Sequence, residues 1–439
     1  MFKSTYSSIP SRYTYHLQAR CDSGALLRNA DRIQAYNLPN WYSFGNISPS
    51  INNNGNVAFK VLGLWHQAIW YGTARTSRLV YTGPRGALLS KVSLNNQECL
   101  VWEQLRSRDN GIWHYDAVTS SSTCLTTAPI GSCGWASATL NDCGSVGFRA
   151  KFADAYGFAA YSATPAPATS TLALMGNLDV SSIYSFLFLP SFNNNGQLAA
   201  KVRLGQPGDI GDERPDQIRI FDPDGSAKLI VADRNYDTDS PYQSFDNSIG
   251  FNDNGQIAFI ATLSSGQRGV FRFDSVGTNA IYADAPNVAT ASLSQQRFAI
   301  AHGMSAKLIA IEGDGQISRI ERFPPKLNNN GLTVFRAFDA EGLRAIWAGD
   351  GVTLHKVVSE GDILPTDIGM LRLARPDDGA VFSGSPDLND QGDIVFAASL
   401  SDPEEARIGF GAGLFVARTA LIEPVDSATN AMWYSREQN

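Results

Sequence analysis

Two of the five histidines in this 439-residue chain are placed to carry protons. His66 stands in Leu64-Trp65-His66-Gln67 and His114 in Trp113-His114-Tyr115; Arg106 and Arg108 occupy the polar stretch between them. An imidazole titrates near neutral pH, and a guanidinium can hold a carboxylate through two parallel hydrogen bonds. Together they suit proton transfer beside an anionic group. His16 and His355 fall in outer-strand patterns and His302 in a later hairpin, where structural roles are expected. Arg203 ends an apolar run just before the polar loop 205–214, in a segment that opens at Tyr184. Acidic loops at 209–216 and 233–239 offer oxygen ligands for calcium, although neither follows the EF-hand spacing. The five cysteines show no zinc-type spacing. No cofactor is required by these residue types, and a structural calcium or zinc ion is left open.

These side chains are positioned by a repeat. The nine residues FNDNGQIAF from Phe251 return as INNNGNVAF from Ile51, LNNQECLVW from Leu94, LNDCGSVGF from Leu140, FNNNGQLAA from Phe192, LNNNGLTVF from Leu327 and LNDQGDIVF from Leu388. The first Asn of successive copies (Asn52, Asn95, Asn141, Asn193, Asn252, Asn328, Asn389) is separated by 43, 46, 52, 59, 76 and 61 residues, the scale of one four-stranded propeller blade. Asn and Gly tolerate positive φ, so each Asn-x-x-Gly reads as a tight turn, and the apolar run after it as a strand. The expected fold is all-β: one seven-bladed β-propeller of four-stranded antiparallel blades spanning residues 1–439. The segment Tyr13–Leu17 should close the ring by covering an exposed edge. Residues 286–322 read as an inserted hairpin, with blade five ending near Ala285 and an eighth blade as the alternative.

The unit is read as strand A, Asn-x-x-Gly turn, strand B, variable loop, strand C, turn, strand D. The A–B and C–D turns then share one face, and the B–C and D–A loops share the other. Function is expected on the second face, because varied loops on a rigid scaffold carry binding and catalysis. Seven copies of the turn itself read as structural.

Composition narrows the functions. A net charge of −7 argues against a general nucleic-acid binder. No run of about 18 apolar residues is present, so no helical membrane span is expected. The first residues, MFKSTYSSIPSRYTYH, lack the apolar core of a secretory signal. A monomer is expected. Cys124 and Cys133 flank a loop and are candidates for a disulfide.

The tandem Asn-x-x-Gly repeat, the opening Ser11-Arg12-Tyr13-Thr14-Tyr15 through Tyr36-Asn37-Leu38-Pro39, and the count of seven together resemble the propeller-type ulvan lyases, bacterial enzymes that cut a sulfated algal polysaccharide next to a uronic acid. The resemblance covers nearly the whole chain and implies an anionic polysaccharide as partner and a secreted or periplasmic location. It also implies β-elimination, which needs a cation on the uronate carboxylate, a base for the adjacent C–H and an acid for the leaving oxygen. By blade position the matches are Arg203 with Tyr184 in blade four, and His114 with His66 in blades two and one. Arg106, Arg108, Tyr156, Tyr242 and Trp65 are the matching substrate-binding positions. Two other readings stay open: a non-catalytic carbohydrate-binding or adhesive propeller in which Trp65, Tyr242 and Tyr156 stack on sugars, and a hydrolase using carboxylates from Asp154, Asp209, Asp237 or Asp239.

Overall fold

The structure is a computed structural model that describes residues 13–21, 27–29, 42–43, 48–63, 65–106, 109–127, 132–152, 155–163, 167–274, 297–299, 305–375 and 379–419. All its regular elements among these are β-strands, gathered into seven antiparallel sheets. Blade one shows the plan: strand A in two pieces (Tyr42–Ser43 and Ser50–Ile51), B at Val57–Gly63, C at Gln67–Gly72 and D at Ser77–Thr82. Each Asn-x-x-Gly lies at the A–B turn, as the repeat predicts. The result is a seven-bladed β-propeller.

Chain order is broken once. Tyr13–Cys21 pairs antiparallel with Gly409–Thr419, so the N-terminal strand becomes strand D of blade seven. Blade five also departs from the expected limits. Its strand D is Ser305–Ile311, paired with Arg268–Phe273, and Arg297–Ala299 adds a fifth, outer strand. The hairpin within 286–322 thus supplies a regular blade strand, and residues 275–296, where strand D was expected, lie outside the described residues.

The turns form two closed hydrogen-bonded rings. The first Asn of each turn folds its Oδ1 back onto its own turn, as Asn252 does with the N–H groups of Asn254 and Gln256. Its Nδ2 donates to the main-chain oxygen of the next first Asn: Asn52 to Asn95 at 3.0 Å, onward around the molecule to Asn389, which donates to Asn52 at 3.1 Å. In the second ring the backbone N–H of each following residue donates to a side-chain oxygen of the next copy, and Asp390 returns to Asn53 at 2.9 Å. Asn and Asp alternate at this second position. Asp253 Oδ2 therefore accepts from both Asn194 and Asn329, at 2.9 and 2.8 Å. Seven is odd, so one neighbouring pair, Asn53 and Asn96, is left without a carboxylate between them. These residues, with the apolar collar Ile51, Leu94, Leu140, Phe192, Phe251, Leu327 and Leu388, line an axial cavity of about 170 Å³.

Only copy two lacks the turn glycine, and Glu98 stands there at φ 62°. A non-glycine residue is strained in that region. Its carboxylate is held by Tyr71 Oη at 2.9 Å and Asn56 Nδ2 at 3.0 Å, both from blade one, which offsets the strain with inter-blade bonds.

Packing between blades follows from strand alternation. Ala58, Ile69 and Tyr71 of blade one meet Leu94, Leu100 and Trp102 of blade two, and comparable clusters repeat around the ring. The fourth residue of strand B does something different. Strand A is interrupted in most blades, which leaves carbonyls off the ladder, and a side chain from the preceding blade meets them: Lys60 bonds Leu89 O, Arg149 bonds Leu187 O, Lys201 bonds Phe245 O, and Arg336 bonds Phe382 O and Gly384 O. In blade two the same position is Glu103, and polarity reverses: its carboxylate accepts from Ala138 N at 2.6 Å. Each of these side chains ties two blades through at least one hydrogen bond, while Glu103 Oε2 and Arg149 Nε have no hydrogen-bond partner among the described residues.

Candidate functional site

The loop face of blades one and two gathers part of the expected set. Strand B of blade one ends at Gly63, and Trp65 in the loop beyond it is 51% exposed. The D–A connection that follows Thr82 crosses back over this loop. Gly86 N donates to Trp65 O at 3.0 Å, Gly83 N donates to Gln67 O at 2.8 Å, and Gln67 Oε1 accepts from Leu89 N. This lattice presents Arg85, whose guanidinium lies 4.6 Å from the Trp65 ring centroid. A cation over an indole face is favourable by about 0.5–1 kcal/mol at an exposed site.

His66 is fixed from beneath. Its Nδ1 lies 3.1 Å from Gly83 O. A carbonyl only accepts, so Nδ1 is the protonated nitrogen and the neutral ring keeps its lone pair on Nε2. Arg106 belongs to the same neighbourhood through the backbone, since Leu105 pairs with Leu88 at the end of the D–A connection. Arg106 is exposed and adopts φ 57°. The neighbouring strands are held by Tyr81, which donates to Gln104 Oε1 at 2.6 Å and packs its ring on Trp102 and Trp113.

The other expected residues go elsewhere. Arg203 is a correction: its guanidinium grips Asp216 through Nε at 2.7 Å and Nη2 at 2.9 Å, reaches Asp212 at 3.2 Å, and donates through Nη1 to Ile210 O. Lys201 shares Asp216 at 2.8 Å. The hydrogen bonds Asp216 accepts hold Arg203 in its charged form, and four of its five N–H donors are committed within the protein. Tyr242 is a second correction. Its ring is fully buried among Phe245, Phe259 and Phe271, and burial pushes its hydroxyl well above the usual tyrosine range. A ring enclosed on every side cannot stack on a sugar.

His114 lies inside strand C of blade two, opposite Val101, two pairs from the turn end of the strand. Burial pushes its imidazole down, with Asp116 opposing. It is therefore displaced from the loop that holds His66, because the stretch after Asp109 enters the strand rather than remaining at its tip. Tyr184 begins strand A of blade four but turns into the blade, edge-on to Phe221 with Arg219 near its ring, and burial raises its hydroxyl. Tyr156 is half-buried, sandwiched by Arg149 at 4.1 Å and edge-on to Phe186. Arg108 and Asp154 lie outside the described residues, as does the side chain of Cys133 from the Cys124 and Cys133 pair.

The acidic loops are committed internally. Asp209 pairs with Arg214, Asp212 with Arg203, and Asp233 accepts from Tyr236 N and Asn235 Nδ2. Among the described residues no three His, Cys, Asp or Glu side chains converge as cation ligands. Arg85 was missed by sequence reasoning; its signal was an arginine at the tip of a Gly-Pro-Arg-Gly turn facing the same side as Trp65.

No protein-family model matches the chain, and no curated protein matches it. Its likeness is to solved structures. An oligogalacturonate lyase in complex with manganese superposes with a TM-score of 0.53 at 11% identity, covering 93% of this chain and 97% of that one. An oligogalacturonate lyase from Vibrio parahaemolyticus gives the same TM-score and identity over 93% of this chain and 98% of its own. At this identity the likeness establishes the propeller fold across nearly the full length of both chains. Manganese belongs to that first structure, and among the described residues no set of side chains gathers as ligands for it.

Proposed function

We propose that the chain is a polysaccharide lyase that cleaves a uronate-containing polymer by β-elimination at the loop face of blades one and two. The observation that carries this reading is the grouping of an exposed indole, a guanidinium across it and an imidazole with its basic nitrogen free. An indole face takes the apolar side of a pyranose, and Arg85 and Arg106 supply charge for its carboxylate. Neutralising that carboxylate acidifies the adjacent C5–H. His66 Nε2 removes the proton, the C5–H electron pair becomes the C4–C5 double bond, and the C4–O bond breaks with its pair going to the leaving oxygen. If departure is on the same side as proton removal, the resulting imidazolium returns the proton to that oxygen, so one histidine serves as base and acid. Within this class a sulfated, ulvan-like polymer is the finer proposal, and a substrate of that size goes with a secreted or periplasmic site of action.

The inward turn of Tyr184 and His114 favours a second reading, a propeller that binds anionic saccharide without cutting it. Absorbance separates the two. Incubation with ulvan, polyglucuronate and polygalacturonate should produce the ultraviolet absorbance of an unsaturated uronate with at least one polymer. His66→Ala should lower that rate by about 10²–10⁴-fold. No absorbance with any polymer, while binding persists, replaces the lyase with the binding module.

A further inference from the structure

We infer that the loop-face end of the joint between blades three and four is an oxyanion site, built on Arg149 with Lys151 beside it. The two stand at alternate positions of strand B of blade three, Val146–Phe152, and so share one face of the blade. In the ladder they lie opposite Phe158 and Tyr156 of strand C. That face packs on blade four, where Tyr156 and Phe158 join Leu187, Phe192 and Val202 in one apolar cluster. The Arg149 guanidinium lies 4.1 Å from the Tyr156 ring centroid and 6.0 Å from that of Phe186, in strand A of blade four. Its Nη1 donates to Leu187 O at 2.8 Å.

Blade four repeats this frame with an acid built in. Lys201 and Arg203 occupy the positions of Arg149 and Lys151, and the residue opposite Arg203 is Asp216, where blade three has Tyr156. Asp216 closes both cations, at 2.8 Å from Lys201 and 2.7 Å from Arg203. In blade six Arg336 likewise has Glu321 at 2.7 Å. Blade three keeps two cations and lacks the carboxylate: neither Arg149 nor Lys151 forms an ion pair among the described residues. Arg149 Nε is enclosed without a hydrogen-bond partner, whereas Nη2, also without one, is not enclosed. Burial works against the guanidinium charge, and the opposing pull comes from Tyr156 alone. A half-buried cation of this kind is stabilised by an anion reaching its open edge, and the exposed Lys151 adds attraction from the same face. The tyrosine leaves to an incoming oxyanion the role that Asp216 fills next door.

A carboxylate and a sulfate group share the chemistry this pair recognises. The inference does not rest on lyase activity, because occupancy is read without turnover. Phenylglyoxal modification of the full chain, mapped by mass spectrometry, follows each arginine separately. Sodium glucuronate or sodium sulfate should slow modification of Arg149 saturably, and glucose or sodium chloride at matched ionic strength should not. Slowing by glucuronate alone assigns a carboxylate site; slowing by both assigns a general oxyanion site. Tyr156→Asp, which copies blade four, should weaken the apparent affinity at least about tenfold by supplying the anion internally. Should that variant fail to fold, Lys151→Met at an exposed position should weaken it about threefold. An Arg149 that is unreactive throughout, or equally reactive with and without anion, overturns the site, as does an affinity unchanged in the folded variants. Protection of Arg85 without Arg149 also overturns it, and leaves the saccharide site of blades one and two standing.

Discussion

The two faces of this propeller are built on opposite rules. At the turn face every blade contributes the same leading Asn, six of the seven with the turn glycine, and the side chains lock each blade to the next until Asn389 and Asp390 return to Asn52 and Asn53. At the loop face the connections differ: a three-residue link carries Trp65 and His66, while the loop after Leu204 carries Asp209, Asp212 and Arg214. The repeated face closes the ring, and closure by identical bonds leaves the other face free to differ. Charge follows the same division. Turn-face polar groups are satisfied by repetition, whereas loop-face charges are satisfied by individual pairings such as Arg203 with Asp216.

The sharpest test of this division is Arg203→Ala. Although Arg203 lies toward the loop face, it is a buried partner, and its removal leaves Asp216 and Lys201 imperfectly paired. A loss of about 3–5 kcal/mol in urea unfolding is expected; a stable variant with impaired turnover would return Arg203 to the site.

A smaller effect should come from Asp233, whose carboxyl burial raises to about 6 from a model-compound value of 3.8. The folded state then binds the proton more tightly than the unfolded chain, so stability is greatest below about pH 4 for this group and falls as pH rises through about 6. The change is on the order of 3 kcal/mol. Asp233→Asn should flatten the stability profile between those pH values, and an unchanged slope would show that the titrating group lies elsewhere.

At the turn face, Asn252→Ala removes the bond to Asn328 O and the acceptor that caps its own turn. About 1–3 kcal/mol should be lost, as for a buried group left without its partner. Equal losses at Asn52, Asn193 and Asn328 would establish that the ring acts uniformly; a loss confined to one copy would break the comparison.

The smallest stability effect belongs to Trp65→Ala. The exposed side chain should change unfolding free energy by no more than about 0.5 kcal/mol, while saccharide binding weakens by about 1–3 kcal/mol, as expected for loss of an aromatic platform. A Trp65→Ala variant that binds saccharide normally would remove the loop-face site.

The sequence by itself determined the blade number and the turn positions, because these depend on local chemistry repeated along the chain, Asn and Gly at positive φ followed by an apolar strand, and its alternation at Tyr13–Leu17 marked the strand that closes the ring. It also placed Trp65, His66 and Arg106 on one face, since a loop's face follows from counting strands. Tertiary structure decided the rest. Whether Arg203 meets a substrate or Asp216 depends on a partner 13 residues away across a hairpin, and whether Tyr242 faces solvent depends on Phe259 and Phe271 in the same sheet. The strand that completes blade five depends on which distant segment closes on Arg268–Phe273. Burial and pairing of that kind are properties of closure, and only the finished ring brings residues from all seven blades to a common axis.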